Sequence, residues 1–388
     1  MLGKPAHDGF FVRFTFPMAT AKLPGMDEIN RPPIKGRGAV SNATGRFERE
    51  TRVLTDDGWT GYASGGNEAL SDPVRTTLSP ASAKSIIARN QSPDVAFDQS
   101  VNPYQGCEHA CIYCFARPTH AYLNLSPGLD FETKLFAKRN AAELLAKELR
   151  AKSYVCEPLA LGANTDAYQP IERTEGITRR VLEVCRDFNQ PVSIITKSAL
   201  VLRDLDILAP MAADGLASVA ISVTTLDRDL ARVMEPRAST PPRRLEAIRT
   251  LAEAGVPVAV LASPMIPALN DHELEAILEA AAGAGATAAS YILLRLPLEI
   301  ATLFEEWLRT HAPTRADRVL SLMRQSRDGA LYRSGFGTRM KGTGPYAELL
   351  RHRFKLACRK HGLGDRNWQL DCSRFRVPPA AGDQLTLL

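Results

Sequence analysis

The sequence predicts an α/β protein: a partial (β/α)6 barrel of parallel strands, with an irregular N-terminal extension before it and a basic helical region after it. Three observations carry this expectation. From about residue 100 to 309, short apolar runs alternate with segments of helical periodicity. Residues 1–95 show no sustained periodicity and are rich in Gly, Pro, Ser, Thr and Arg. From Arg318 to Arg376 there are 14 Lys/Arg against 4 Asp/Glu, a local charge of +10. The expected boundaries are 1–95 for the extension, 96–312 for the barrel, 313–377 for the basic helices and 378–388 for a flexible tail.

In the extension, the stretch KGRGAVSNATGRFERE at 35–50 is basic and glycine-rich. It is expected to wrap on the rest of the chain or to order on binding. Later strands are expected at 157–163, 192–196, 217–223, 256–262 and 288–294, where apolar residues run together. Between them, Ile177, Val181, Val184, Cys185 and Phe188 fall on one face of a helix, as do Leu245, Ile248, Leu251 and Ala252. Glycine-rich turns at 254–257 and 283–286 stand where C-caps belong. Strands alternating with helices imply right-handed βαβ units and a parallel sheet. About six units fit, fewer than the eight of a closed barrel of about 250 residues.

Composition bounds the function classes. The chain has 388 residues, 45% hydrophobic and 23% charged, with a formal charge of +5. It can bury a large core, and wholesale disorder is excluded. No apolar run reaches the length of a membrane span, and the N-terminus MLGKPAHDGFFVRFTF lacks the apolar centre of a secretory leader. Seven cysteines are too few and too odd in number for a disulfide scaffold, so a reducing, cytoplasmic location is expected. The +5 divides into +10 on residues 318–376 and −5 on the remainder.

Three of the seven cysteines lie within eight residues, Cys107-Glu-His-Ala-Cys111-Ile-Tyr-Cys114. A loop of this length can place thiolates at three corners of a [4Fe–4S] cube and leave the fourth iron open to a small molecule. The alternative is zinc, with His109 or His120 as a fourth ligand; none of the other cysteines forms the second CxxC pair that common zinc sites use. Cys185 sits on an apolar helix face and reads as core. Cys358 and Cys372 are expected to be inert thiols that could approach each other in the basic region.

The CxxxCxΦC spacing, with Tyr113 as the aromatic, at the head of a βα repeat resembles the radical S-adenosylmethionine (SAM) superfamily. The segments NPYQGCEHACIYCFARPTHAYLNLSPGLDFETK, NTDAYQPIE, ITKSALVLRDLD, EPRASTPPRRLEAI, SPMIPALND and LRLP further resemble an uncharacterised bacterial subgroup of it, and run parallel to the DNA repair enzyme spore photoproduct lyase. The resemblance implies a [4Fe–4S] cluster on Cys107, Cys111 and Cys114, with SAM on the open iron. It implies reductive cleavage of SAM to a 5′-deoxyadenosyl radical and an electron donor such as flavodoxin or ferredoxin. Tyr113 would pack against the adenine or the cluster edge. Thr165 and Asp166 take the place that receives the SAM amino group, though Asp166 could instead cap the next helix. Lys197 and Ser222, ending the third and fourth strands, match SAM-contacting positions, and Arg295, ending the sixth, could reach a carboxylate or an anionic substrate. The loop 264–271 could hold adenine, with Asn270 and Asp271 alternatively an N-cap. One departure stands out: spore photoproduct lyase carries a cysteine just before the equivalent of Thr165-Asp166, where this chain has Ala163-Asn164.

The basic segment interleaves Tyr332, Phe336, Tyr346, Phe354, Trp368 and Phe375 with its arginines and lysines, a composition suited to DNA or other nucleic acid with exposed bases. The bland alternative is a solvated basic face whose aromatics are core. The ending Gln384 to Leu388 (QLTLL) resembles the peptide by which bacterial repair and replication proteins hold the replicative sliding clamp. The expected function is a radical SAM enzyme on nucleic acid, in DNA repair or base modification. The alternatives are a peptide or small-metabolite substrate, or a non-enzymatic metal-containing nucleic-acid binding module.

Overall fold

The computed structural model describes residues 33–49, 51, 74–364 and 369–379, all within one compact unit spanning 33–388. In chain order the strands are β1 (Thr77–Pro80), β2 (Ile87–Arg89), β3 (Gln99–Val101), β4 (Tyr104–Gln105), β5 (Lys134–Ala137), β6 (Leu159–Leu161), β7 (Val192–Thr196), β8 (Ala217–Ser222), β9 (Val258–Met265) and β10 (Ala288–Leu293). The helices are α1 (Leu129–Thr133), α2 (Ala141–Leu149), α3 (Glu172–Glu175), α4 (Ile177–Asp187), α5 (Leu205–Ala213), α6 (Arg228–Met234), α7 (Pro241–Glu253), α8 (Leu274–Gly283), α9 (Ile300–His311), α10 (Pro313–Gln325) and α11 (Gly344–His361).

The main sheet has the order β10-β9-β8-β7-β6-β3-β2. Six of its strands are parallel, and β2 pairs antiparallel with β3 at the edge. Strands adjacent in the sheet are successive in the βα repeat, which is what short right-handed crossovers produce. The predicted strands hold, with one shift: β9 runs on through Pro264 to Met265. Its pairing with β10 slips between Tyr291 and Leu293, and such an irregularity is where a strand accommodates proline.

Alternation along each strand divides the sheet into two unlike faces. Leu159, Leu161, Val192, Ile194, Val219, Ile221, Val258 and Val260 pack with Val181, Ile248 and Ile277 of the helices in the main core. The opposite face is built of small side chains. Ala160, Ser193 and Ser218 lie side by side in register, and Ile195, Ala220, Ala259 and Ala288 form the next row. Bulky branched residues fill the interior of a closed eight-stranded barrel, whereas this face, apart from Ile195, carries mostly small ones.

The extension is less irregular than its composition suggests. β1 pairs parallel with β5, which also pairs antiparallel with β4, making a three-stranded sheet beside the cysteine loop. Neither Thr77–Pro80 nor Ile87–Arg89 alternates strongly; β1 is fixed by a partner far along the chain, which local pattern cannot register, and β2 by the neighbouring β3. The free edge of β10 is covered as well, by Met340 bonded to the Leu293 N–H and by Gly364 bonded on both sides to Thr287 and Ala289.

The basic region is helical, but its aromatics mostly serve packing. Phe354 lies 4.8 Å from Tyr291, Tyr346 donates to Asp271 at 2.6 Å, and Phe375 packs against Tyr154 and Phe188. Phe336 is exposed; Trp368 lies outside the described residues, as does 384–388. Many of the cations are also engaged within the protein. Arg327 donates to the carbonyls of Leu293, Leu294 and Arg339, while Arg339, Arg353 and Arg374 pair with Asp94, Glu275 and Asp214. The Cys372 thiol hydrogen-bonds with that of Cys156, whose pKa burial pushes up to about 12. No helix among the described residues is long and apolar enough to cross a membrane.

Candidate functional site

The cysteine loop leaves β4 through Gly106, whose φ is +78°. A Cβ there would meet Leu135, the Phe131 carbonyl and His120 at 2.7–3.0 Å, so the turn requires glycine. Loop hydrogen bonds run from Ala110 N–H to Cys107 C=O and from Cys114 N–H to Cys111 C=O, and the Ile112 N–H reaches Met234 at the end of α6. Cys107 and Cys111 are buried and Cys114 is half-buried. Burial first, then neighbouring Asp166, Cys111 and Cys114, pushes the Cys107 thiol well up.

The three thiols thus lie within electrostatic reach of one another. Among the described residues, no set of three or more His, Cys, Asp and Glu side chains converges to hold a single metal ion. Thiols that neighbour one another without converging suit separate corners of a cube better than the centre of a zinc tetrahedron. Both imidazoles weighed for zinc are turned elsewhere: His109 faces Asp166 at 3.3 Å, and His120 bonds the Lys134 carbonyl at 2.9 Å. The donor set therefore fits an iron–sulfur cluster.

Beside the loop, the sequence-predicted residues come together. Asp166 accepts from the Tyr168 N–H, the Thr196 hydroxyl and the Lys197 N–H at 2.7–2.9 Å. Burial opposes its charge, but His109 and these donors outweigh it and hold the carboxyl well below the usual range. Asp166 therefore both makes a local turn and ties the end of β7 to the end of β6. The Lys197 ammonium stands 5.6 Å above the Tyr113 ring. Thr165 is buried, its hydroxyl donating to Tyr104 C=O at 2.9 Å. Asn270 stands at the N-cap of the 271–273 turn, but its side chain makes no cap bond: it accepts from the Ile266 N–H and donates to the Thr224 and Pro264 carbonyls.

Two residues that sequence reasoning passed over organise this group. Glu235 is fully buried and accepts from the Tyr113 hydroxyl, from Thr224 and from Arg244. Arg244 in turn donates to the carbonyls of Ser222 at 3.1 Å and Ser239 at 2.7 Å. The loop aromatic, the end of β8 and the start of α7 are thereby held by one ion pair. Both residues lie in the segment EPRASTPPRRLEAI, whose mixed charge next to proline was the available signal.

Arg295 lies two residues past β10, its guanidinium 5.6 Å from Phe115 and 5.7 Å from Tyr332. Phe115 directly follows Cys114 and is 48% exposed. Nearby, Arg46 stands over both Phe47 and Tyr122 and pairs with Glu299 at 3.1 Å. Phe47 and Tyr122 are 50% and 72% exposed, and Phe336, 61% exposed, lies under Arg339. Among the described residues, the exposed aromatics are thus Phe115 directly after the cysteine loop, Tyr122 with Phe47 at the turn that follows it, and Phe336 in the basic region.

The model of the radical SAM superfamily matches residues 101–281. An uncharacterised protein of Mycobacterium tuberculosis is 38% identical over 243 residues, 61% of this chain and 72% of that one. The chain belongs to the radical SAM superfamily. An uncharacterised protein of Methanocaldococcus jannaschii is 32% identical over 174 residues, 45% of this chain and 62% of its own. Spore photoproduct lyase, in a structure with bound AdoMet and dinucleoside spore photoproduct, superposes with a TM-score of 0.55 over 76% of this chain and 84% of that one, at 16% identity. This radical SAM protein is an enzyme whose cofactors are a [4Fe–4S] cluster and SAM, and it shares its fold with that lyase.

Proposed function

We propose that this radical SAM enzyme modifies or repairs nucleic acid in the cytoplasm, with Cys107, Cys111 and Cys114 holding the cluster. The six parallel strands are read as a partial (β/α)6 barrel whose Ser/Ala face is the lumen. When bound, the cluster and SAM supply a 5′-deoxyadenosyl radical that takes a hydrogen atom from the substrate. The protein's part is placement. Thr165 and Asp166 would receive the SAM amino group, and Lys197 and Arg295 would offer cations to carboxylate or phosphate. Tyr113, held by Glu235, would pack against the adenine or the cluster edge, and Ser222, at the end of the fourth strand, would contact SAM.

One observation carries the substrate class: the exposed aromatic–guanidinium pairs beside the cysteine loop. An aromatic face left in water next to a cation is what an unpaired base stacks on while its phosphate is neutralised. The absence of a cysteine before Thr165 distinguishes this chain from spore photoproduct lyase and favours another hydrogen donor or another lesion. The test is SAM cleavage by the anaerobically reconstituted enzyme with and without single-stranded oligonucleotides, intact and ultraviolet-irradiated. Oligonucleotide-stimulated release of 5′-deoxyadenosine, lost on Phe115→Ala, is expected. Release that ignores every oligonucleotide would transfer the proposal to a peptide or small-metabolite substrate.

A further inference from the structure

We infer that residues 36–41 form a seal over one side of the cysteine loop, and that Glu132 and Arg117 are the positioning residues that fasten it. Glu132 lies on α1 and is completely buried. Its two carboxylate oxygens take the backbone N–H groups of Gly38 at 3.0 Å and Ala39 at 2.8 Å. The same carboxylate receives Arg117 at 2.5 Å. Arg117, also completely buried, gives its remaining donors to the carbonyls of Cys111 at 2.9 Å, Ala110 at 3.3 Å, and Pro127 and Gly128 at 3.0 Å. One carboxylate therefore reads the strap, one guanidinium reads the cysteine-loop backbone, and the two are joined to each other.

The fit between strap and loop is close. A Cβ built on Gly38 would lie 1.9 Å from the Ala110 carbonyl oxygen, so position 38 admits glycine and no larger residue without displacement. Ala39 packs in one apolar cluster with Cys111, Ile112 and Tyr113. The strap is fixed on both sides of this contact. Arg37 reaches the carbonyls of Glu132 and Val74, while Ser41 C=O accepts the Leu129 N–H and Asn42 exchanges two hydrogen bonds with Asp130. A buried ion pair contributes little net stability against a hydrophobic replacement; what this one supplies is fixed geometry and a side of the loop closed to solvent. The inference concerns the loop alone and is independent of the substrate.

The test uses the full chain in two states. In the cluster-free protein, the rate at which each cysteine reacts with a water-soluble disulfide reagent is read by mass spectrometry. In the reconstituted protein, the loss of visible cluster absorbance in air is followed. Gly38→Ala, which leaves the Glu132–Arg117 pair in place, is expected to make Cys107 and Cys111 react about tenfold faster through local opening. It should also speed bleaching, with Cys185 in α4 unchanged. Glu132→Gln, read in the same assays, serves if Gly38→Ala does not fold. Unchanged rates at Cys107 and Cys111 would overturn the seal. So would equal acceleration at Cys185, which would mean general loosening.

Discussion

Glu235 shows how much one buried carboxylate can organise. Its side chain and that of Arg244 are 0% and 1% exposed, and between them they bond Tyr113, Thr224, Ser222 and Ser239. Replacing it by glutamine keeps the shape and strands the guanidinium without a counter-charge. Glu235→Gln should lower unfolding free energy by about 3–5 kcal/mol, the cost of breaking a buried pair by removing one partner. Urea denaturation of the cluster-free protein measures this, and a change under about 1 kcal/mol would place the loss in the range of ordinary surface substitutions and refute the role. The grouping of the three thiols was legible from their spacing, and Asp166 and Lys197 were named from the resemblance; the fold brings these two together through the Lys197 N–H. Glu235 and Arg244 were not legible, since a carboxylate and a guanidinium nine residues apart look solvated until the fold buries both.

At the scale of elements, α1 and the 36–42 strap behave as one unit. Asp130 on α1 is partly desolvated, which favours its neutral form, yet Asn42, Lys134 and the Ser126 N–H hold its pKa below the ordinary value. A carboxyl whose folded pKa lies below the unfolded one contributes stability that is complete above the unfolded pKa. That contribution is lost as pH falls through about 4 and toward the folded pKa. Melting temperature should therefore drop between about pH 5 and pH 3 more steeply in the wild type than in Asn42→Ala, where Asp130 has lost one of its donors. Parallel curves would show that the strap does not tune Asp130. Strands β6 to β10 were readable as apolar runs, and helix α4 as a face of Ile177, Val181 and Cys185. β1 and the strap were not, because their partners lie 37 to 95 residues away in the chain; β2 pairs with the nearby β3, but three residues carry no period of their own.

Over the whole molecule, the +10 of residues 318–376 overstates the charge available to a ligand. Arg327, Arg339, Lys341, Arg353 and Arg374 are each bonded within the protein. If every basic side chain of that segment met a phosphate of a single strand, log K against log salt would fall with a slope near −10, at about −0.7 per phosphate. A rim that meets about three or four phosphates around the cysteine loop gives a slope of about −2 to −3. Fluorescence anisotropy of a labelled single-stranded oligonucleotide across a salt series distinguishes the two, and no salt dependence at all would remove nucleic acid as the partner.

By itself the sequence determined the α/β class, the order of βα units, the grouping of three cysteines on one loop and the superfamily, because each is written in local spacing or residue type. Tertiary structure alone decided which charges are spent internally and which aromatics remain in water. It also paired Cys156 with Cys372 and laid Gly38 against Ala110. The physical reason is that burial and pairing are properties of neighbours brought together by folding. Arg117 and Arg333 are the same residue type, and only the fold makes one a buried brace and leaves the other at the surface.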